Sequence, residues 1–93
     1  REVFMQHMLR MGIDVGSTTV KVVLLDEHDN YLYKKYIRHY ANTLDTVYTL
    51  LQEAQVGHED AFVHVCITGS GGMAMAEKVR IPFVQELLLK REL

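Results

Sequence analysis

Two apolar, β-branched runs separated by a short polar turn constrain the fold of this sequence most strongly. Residues 12–15 read Gly-Ile-Asp-Val, and residues 20–25 read Val-Lys-Val-Val-Leu-Leu. Because the connecting Gly-Ser-Thr-Thr, residues 16–19, is too short for a crossover, the two runs are predicted to pair antiparallel. The turn-forming residues 26–30 then lead into a Tyr- and Ile-rich run over residues 31–40, which predicts a three-stranded antiparallel meander.

A helix is predicted after the meander. Leucine, valine, tyrosine and leucine at positions 44, 47, 48 and 51 are spaced as one face of a helix over residues 44–55. Asn42 is a plausible N-cap, and Gly57 stands where a left-handed C-terminal cap is expected.

A fourth strand is predicted over residues 61–67, and the preceding helix provides the crossover that a parallel strand needs. A short helix over residues 73–79 is predicted to follow, and then, over residues 83–93, a further helix that a brief strand could precede. The expected fold class is therefore α/β, with the order β-β-β-α-β-α and a mixed sheet. Residues 1–10 are expected to be an N-terminal extension, either a helical turn or two or residues outside the domain.

Composition excludes several classes of protein. With 93 residues the chain has room for one domain, and a net charge of −2 without a basic cluster argues against nucleic-acid binding. No apolar run approaches the roughly 20 residues that cross a bilayer. The single cysteine, Cys66, and five methionines fit the reducing cytoplasm. The five histidines show no metal-ligand spacing and are predicted to be surface or strand-end groups: His7, His28, His39, His58 and His64.

The first turn, residues 16–19, is a candidate phosphate site. Gly16 allows a tight turn and a close approach of backbone to a ligand, and the amides and hydroxyls of the next three residues offer donors to phosphate oxygens. Asp14 ends the preceding strand, where its carboxylate could hold a hydrated Mg²⁺, and Lys21 adds a positive charge. An ordinary hairpin turn with Ser and Thr as capping residues explains the same pattern equally well.

The second loop, residues 68–72, reads Thr-Gly-Ser-Gly-Gly and lies between the fourth strand and the predicted short helix. A strand-to-helix junction offers free N–H groups to an anion. Helix–sheet packing and a sharp turn explain these glycines at least as well. The spacings match neither a P-loop nor a dinucleotide-binding fingerprint.

Residues 12–21, Gly-Ile-Asp-Val-Gly-Ser-Thr-Thr-Val-Lys, resemble the first phosphate motif of the acetate kinase, sugar kinase, Hsp70 and actin ATPase superfamily. Two further segments resemble the next motifs of one group within this superfamily, and they occur in the same order. They are the second loop with Ile67, and residues 82–86, Pro-Phe-Val-Gln-Glu. That group is the BadF/BadG/BcrA/BcrD family, the ATP-dependent activators of 2-hydroxyacyl-CoA dehydratases and benzoyl-CoA reductases. The resemblance spans about residues 11–88.

The resemblance implies a ribonuclease-H-like, actin-like ATPase fold that binds ATP or ADP with Mg²⁺. Asp14 would be the catalytic residue and would hold the metal through water. The phosphate-binding residues would be Gly16, Ser17, Thr18, Thr19 and Lys21, with Gly69, Ser70 and Gly71 beside the nucleotide. Family members are homodimers that carry a [4Fe-4S] cluster and pass a low-potential electron to a CoA-ester dehydratase or reductase.

The sequence departs from that family in two respects. It holds no second Asp-x-Gly-Gly loop, and Cys66 does not match the cluster-binding cysteines. Residues 11–93 are therefore expected to be the first lobe of a longer ATPase and to pair with a second lobe. Alone, this first lobe is expected to bind ATP weakly and to be inactive. Two alternatives remain open: the lobe of a sugar or acetate kinase, and a non-catalytic scaffold or interaction module of the same fold.

Overall fold

The computed structural model describes residues 8–72, which form a mixed β-sheet with one helix packed against it. The elements, in chain order, are β1 (Met8–Val15), β2 (Thr19–Leu25), β3 (Tyr31–Arg38), α1 (Thr43–Gln55) and β4 (Phe62–Thr68). The two helices predicted for residues 73–79 and 83–93 lie outside the described residues.

The strand order in the sheet is β3-β2-β1-β4. The first three strands pair antiparallel in sequence order, and β4 pairs parallel with β1 on the other side. The predicted meander and the predicted parallel fourth strand are thus confirmed. The connection through α1 crosses over the sheet, because a parallel strand cannot be reached by a hairpin.

Strand β1 begins at Met8, inside the segment that was expected to be an extension. Its first residues pair with β4: Met8 lies opposite Phe62, and Leu9 opposite Val63. Leu9 is buried in the core. The prediction that all of residues 1–10 lie outside the domain is therefore wrong for residues 8–10. The partner strand lies more than fifty residues away in the sequence, so no local pattern marks this beginning.

The core lies between one face of the sheet and α1. Alternate residues of β1 and β2 point to this face, as the two-residue period of a strand requires. Helix α1 contributes Val47, Leu50 and Ala54, which are buried at helical spacing. Each fully buried aliphatic side chain stabilises the fold by about 1.5–3 kcal/mol. The strand residues of the core are Leu9, Met11, Ile13, Val15, Val20, Val22, Leu24 and Ile67.

The ends of α1 follow the predictions in part. Asn42 occupies the N-cap position, but its side chain makes no capping hydrogen bond, and only its carbonyl accepts from the Thr46 amide. Gly57 has a φ of +84°, as the predicted left-handed cap requires. At 13 residues α1 is too short to span a membrane, and the rest of the described chain contains no helix that could.

A polar contact on the surface joins β3 to α1. The hydroxyl of Tyr33 donates a hydrogen bond of 2.7 Å to the carboxylate of Glu53, and the ammonium of Lys35 lies 3.1 Å from the same oxygen. The hydrogen bond from Tyr33 lowers the pKa of Glu53. Burial, and then the bond to the carboxylate, raise the pKa of the Tyr33 hydroxyl.

Candidate functional site

The first turn and the second loop meet at one edge of the sheet, where β1 and β4 both end. Strands β1 and β4 are parallel, so the first turn after β1 and the second loop after β4 leave the sheet on the same side. Asp14 lies opposite Thr68 of β4 and opposite Lys21 of β2. Because paired residues on neighbouring strands share a face, these three side chains form a row across the sheet, on the face opposite α1.

The first turn presents its polar groups to the outside. The Gly16 amide donates to the Thr19 carbonyl at 2.8 Å, which closes the turn. Ser17 and Thr18 are exposed, and their amides make no hydrogen bond to any residue between 8 and 72. No apolar side chain of residues 8–72 covers Ser17 and Thr18, since both are exposed. This geometry leaves backbone donors accessible, which a phosphate site requires.

Gly16 is not needed for the conformation of the turn. Its φ lies outside the left-handed region, and a Cβ atom added there would meet the Thr19 carbonyl oxygen at 3.4 Å, an ordinary contact. Gly16 is thus compatible with the tight turn, as expected, but the conformation does not require a glycine. The close approach of a ligand, the other reason given for this glycine, stays a prediction.

The second loop needs its glycines because it packs on the end of β1. Gly69 has a φ of +102°, and a Cβ atom there would lie 2.5 Å from Oδ1 of Asp14. The Gly71 amide donates to the Val15 carbonyl at 2.8 Å, and a Cβ on Gly71 would lie 2.9 Å from Cγ1 of Val15. Packing thus accounts for Gly69 and Gly71. Ser70 is exposed beside them, and a ligand-binding role for these residues stays a prediction.

Thr68 opened the second loop in the sequence, but no role was assigned to it. Its side chain is 1% exposed, and its hydroxyl is buried without a hydrogen-bond partner among the described residues. An unsatisfied buried hydroxyl costs about 1–3 kcal/mol, and this one lies beside Asp14 in the row across the sheet. The sequence placed Thr68 next to the glycines, but only the pairing with β1 shows its neighbour Asp14.

His39 was predicted as a surface or strand-end group, and it does lie at a strand end, directly after β3. It is not a surface group, because it is buried with 7% of its surface exposed. Its Nε2 lies 3.1 Å from the Gly16 carbonyl oxygen, and its amide donates to the Thr18 carbonyl at 2.9 Å. Nothing in the local sequence marks it, because its partners belong to a hairpin more than twenty residues earlier.

The site suits a hydrated cation such as Mg²⁺ better than a [4Fe-4S] cluster. Among residues 8–72 no group of three or more histidine, cysteine or acidic side chains could hold a metal ion directly. Asp14 offers one carboxylate, which suits Mg²⁺ because Mg²⁺ keeps several waters and takes one or two carboxylates in phosphate sites. The single cysteine, Cys66, lies within β4, so this chain does not supply the ligands of a [4Fe-4S] cluster.

Comparison with solved structures finds proteins of the same fold. Component A of the (R)-2-hydroxyglutaryl-CoA dehydratase of Acidaminococcus fermentans matches with a TM-score of 0.65 and 25% identity, over 86% of this chain and 31% of that one. The activator of the 2-hydroxyisocaproyl-CoA dehydratase from Clostridium difficile, solved with bound ADPNP, matches with a TM-score of 0.54 and 22% identity, over 86% and 30%.

A Ppx/GppA family protein from Aquifex aeolicus shares the fold with a TM-score of 0.52 and 12% identity, over 86% of this chain and 36% of that one. The chain thus spans about a third of the length of each of these structures. No protein-family model matches the sequence, and no curated protein matches it. The chain has the ribonuclease-H-like fold of an actin-like ATPase lobe, and it is similar to a component and an activator of 2-hydroxyacyl-CoA dehydratases, as its motifs indicated.

Proposed function

We propose that this chain is the phosphate-binding lobe of an ATP-hydrolysing activase. In the intact protein, hydrolysis drives a low-potential electron to a 2-hydroxyacyl-CoA dehydratase or a related CoA enzyme in the cytoplasm. The observation that carries this proposal is the meeting of the first turn and the second loop at one edge of the sheet, with Asp14 between them. The similarity to an activator solved with bound ADPNP supports the nucleotide as the ligand.

Each residue of the site has a proposed role. The turn of residues 16–19 binds the β- and γ-phosphates through the accessible amides of Ser17 and Thr18 and its hydroxyls, and Lys21 offsets their charge. Asp14 would hold Mg²⁺ through water, and the ion, when bound, would supply positive charge against the phosphates. Gly69, Ser70 and Gly71 form the wall of the cleft beside the nucleotide. The orphan hydroxyl of Thr68 fits this arrangement, since a metal-bound water would give it a partner.

The other partners belong to the longer protein. A second lobe contributes the adenosine site, and a homodimer with cysteines outside this chain carries the [4Fe-4S] cluster. The reading frame beyond Leu93 tests this part of the proposal. A second Gly-Gly phosphate loop and downstream cysteines support the activase, whereas sugar-contacting motifs there would assign the lobe to a kinase.

Phosphate binding by this chain is tested by NMR titration of the ¹⁵N-labelled protein with Mg-ADP and Mg-ATP, because chemical shifts detect millimolar affinity. We expect saturable shifts at Ser17, Thr18 and Ser70. Asp14→Asn, which keeps the shape and removes the charge, is expected to weaken binding at least tenfold, about 1.4 kcal/mol. The control is Asp60→Asn, an exposed carboxylate at the opposite edge of the sheet, which should bind as the wild type does.

Two results would contradict the proposal. Absence of shifts at millimolar Mg-nucleotide in a folded protein would favour the non-catalytic scaffold. Equal weakening by Asp14→Asn and Asp60→Asn would show that general charge, rather than a metal held at Asp14, governs binding.

A further inference from the structure

His39 holds the first turn in place together with the turn's own hydrogen bond from the Gly16 amide to the Thr19 carbonyl. In a hairpin turn of this length the fourth residue commonly donates to the first carbonyl. Here the described backbone contains no such bond from the Thr19 amide to the Gly16 carbonyl. The carbonyl of Gly16 instead lies 3.1 Å from Nε2 of His39. The carbonyl of Thr18 accepts from the His39 amide at 2.9 Å.

The surroundings of His39 fix which of its ring nitrogens carries the proton. The Ala41 amide, which can only donate, lies 3.1 Å from Nδ1, and the Thr43 hydroxyl lies 3.3 Å from the same nitrogen. Nδ1 must therefore be the acceptor. In the neutral ring the hydrogen then sits on Nε2 and is donated to Gly16.

The chain adopts an unusual conformation to make this arrangement. Tyr40 and Ala41, directly after His39, both lie in the left-handed region, with φ of +47° and +69°. Two consecutive non-glycine residues in this region each cost about 1–2 kcal/mol. The bend brings the Ala41 amide back onto Nδ1, so the fold maintains a strained loop around a buried imidazole beside the first turn.

Peptide geometry gives these bonds a consequence for the outer side of the turn. In a planar trans peptide the carbonyl and the following N–H point in opposite directions. Since Nε2 of His39 binds the carbonyl of Gly16, the N–H group of Ser17 points away from the imidazole. One donor is thereby oriented before any ligand arrives.

We infer that His39 is a positioning residue, which fixes the first turn so that the N–H group of Ser17 faces an anionic phosphate. The inference rests on the proposed function, because it assigns the ligand of this amide to the same nucleotide. It goes beyond that function by assigning part of the affinity to a side chain that does not touch the ligand. Preorganised donors bind more tightly because their ordering cost is met during folding.

The test combines a spectroscopic measurement with ligand affinity. In the wild type, two-bond ¹H–¹⁵N spectra are expected to show His39 as a neutral ring protonated at Nε2.

His39→Phe keeps a flat ring but loses the donor and the acceptor. It is expected to weaken Mg-ADP binding about tenfold or more. His39→Gln places an N–H donor near the Nε2 position and should recover most of that loss. His64→Phe, on an exposed residue of β4, is the matched control and should bind as the wild type does.

Each outcome decides a different point. A ring protonated at Nδ1, or equal affinity in the wild type and His39→Phe, would overturn the inference and leave the proposed function intact. If His39→Phe fails to fold, the comparison of His39→Gln with the wild type and the ring spectrum still decide it. If the folded wild type binds no Mg-ADP, the proposed function fails, and the positioning role fails with it.

Discussion

The Oδ1 atom of Asp14 occupies the space that a Cβ atom on Gly69 would need, 2.5 Å from the ideal Cβ position. This contact joins the strand end of the first motif to the first residue after β4. Together with the backbone oxygen and nitrogen of Val15, which also lie too close for a Cβ atom, it explains why the second loop has a glycine at this position. A larger residue would displace either the loop or the carboxylate.

Gly69→Ala is therefore expected to destabilise the fold more than the same change elsewhere. Gly57→Ala is the matched control, because Gly57 also has a positive φ but has open space around it, with no atom within 4 Å of the added Cβ. The control should lose about 1 kcal/mol of unfolding free energy from the left-handed conformation alone. Gly69→Ala should lose at least about 1 kcal/mol more, through displacement of the end of β1. Urea unfolding measures both, and equal losses would contradict the contact.

Thr68→Val should stabilise the chain without ligand and weaken its binding of Mg-nucleotide. Valine has nearly the same shape and removes the buried hydroxyl that has no partner, so a gain of about 1 kcal/mol in unfolding free energy is expected. Thr68→Ser keeps the hydroxyl and is the control for binding. The measurements are urea unfolding and titration with Mg-ADP. A loss of stability in Thr68→Val would mean that the hydroxyl makes a hydrogen bond in solution.

Ala41→Gly should stabilise the loop that follows β3. Ala41 has a φ of +69°, which glycine adopts without steric cost. The relief of left-handed strain exceeds the free-energy cost of the added entropy of the unfolded chain. A net gain of about 0.5 kcal/mol in unfolding free energy is therefore expected, measured by thermal or urea unfolding. The neighbouring Asn42→Gly, at an ordinary φ of −95°, is the control and should be neutral or destabilising. A loss in Ala41→Gly comparable to that in the control would argue against left-handed strain.

Tyr33→Phe should change how stability depends on pH at the alkaline end. The folded pKa of Tyr33 is raised above its ordinary value of 10.0, so its contribution is complete below pH 10.0 and is lost as the pH rises towards the folded value. The wild type should therefore lose stability more steeply above pH 10.0 than Tyr33→Phe. Tyr48→Phe, on the exposed side of α1, should follow the wild type. Urea midpoints across this range measure the difference.

The hydrogen bond between Tyr33 and Glu53 also makes stability depend on pH at the acid end. The pKa of Glu53 is lowered, first by the hydrogen bond from Tyr33, so its contribution is present above its ordinary pKa and is lost as the pH falls through the lowered value. In Tyr33→Phe this acid loss should be smaller. Identical acid profiles for the two proteins would show that the bond between the hydroxyl and the carboxylate does not persist in solution.

The sequence by itself determined the architecture of the described part. Alternating apolar residues, two short turns and one amphipathic helix specify a meander with a crossover to a parallel strand, because each of these signals acts between residues close in the chain. The motif around Asp14 and the glycines after Thr68 also identified two candidate loops and the ATPase fold, which the similar structures share.

Only the tertiary structure decided which residues surround those loops. Three features depend on residues at least twenty positions away in the chain. They are the beginning of β1 at Met8, the position of the orphan Thr68 hydroxyl beside Asp14, and the burial of His39. The structure also separated the two kinds of glycine, since the turn does not require glycine at position 16, whereas Asp14 and the backbone of Val15 leave no space for a side chain at Gly69. Contacts of this kind arise from strand register and from the crossover, which bring together segments whose local patterns contain no information about each other.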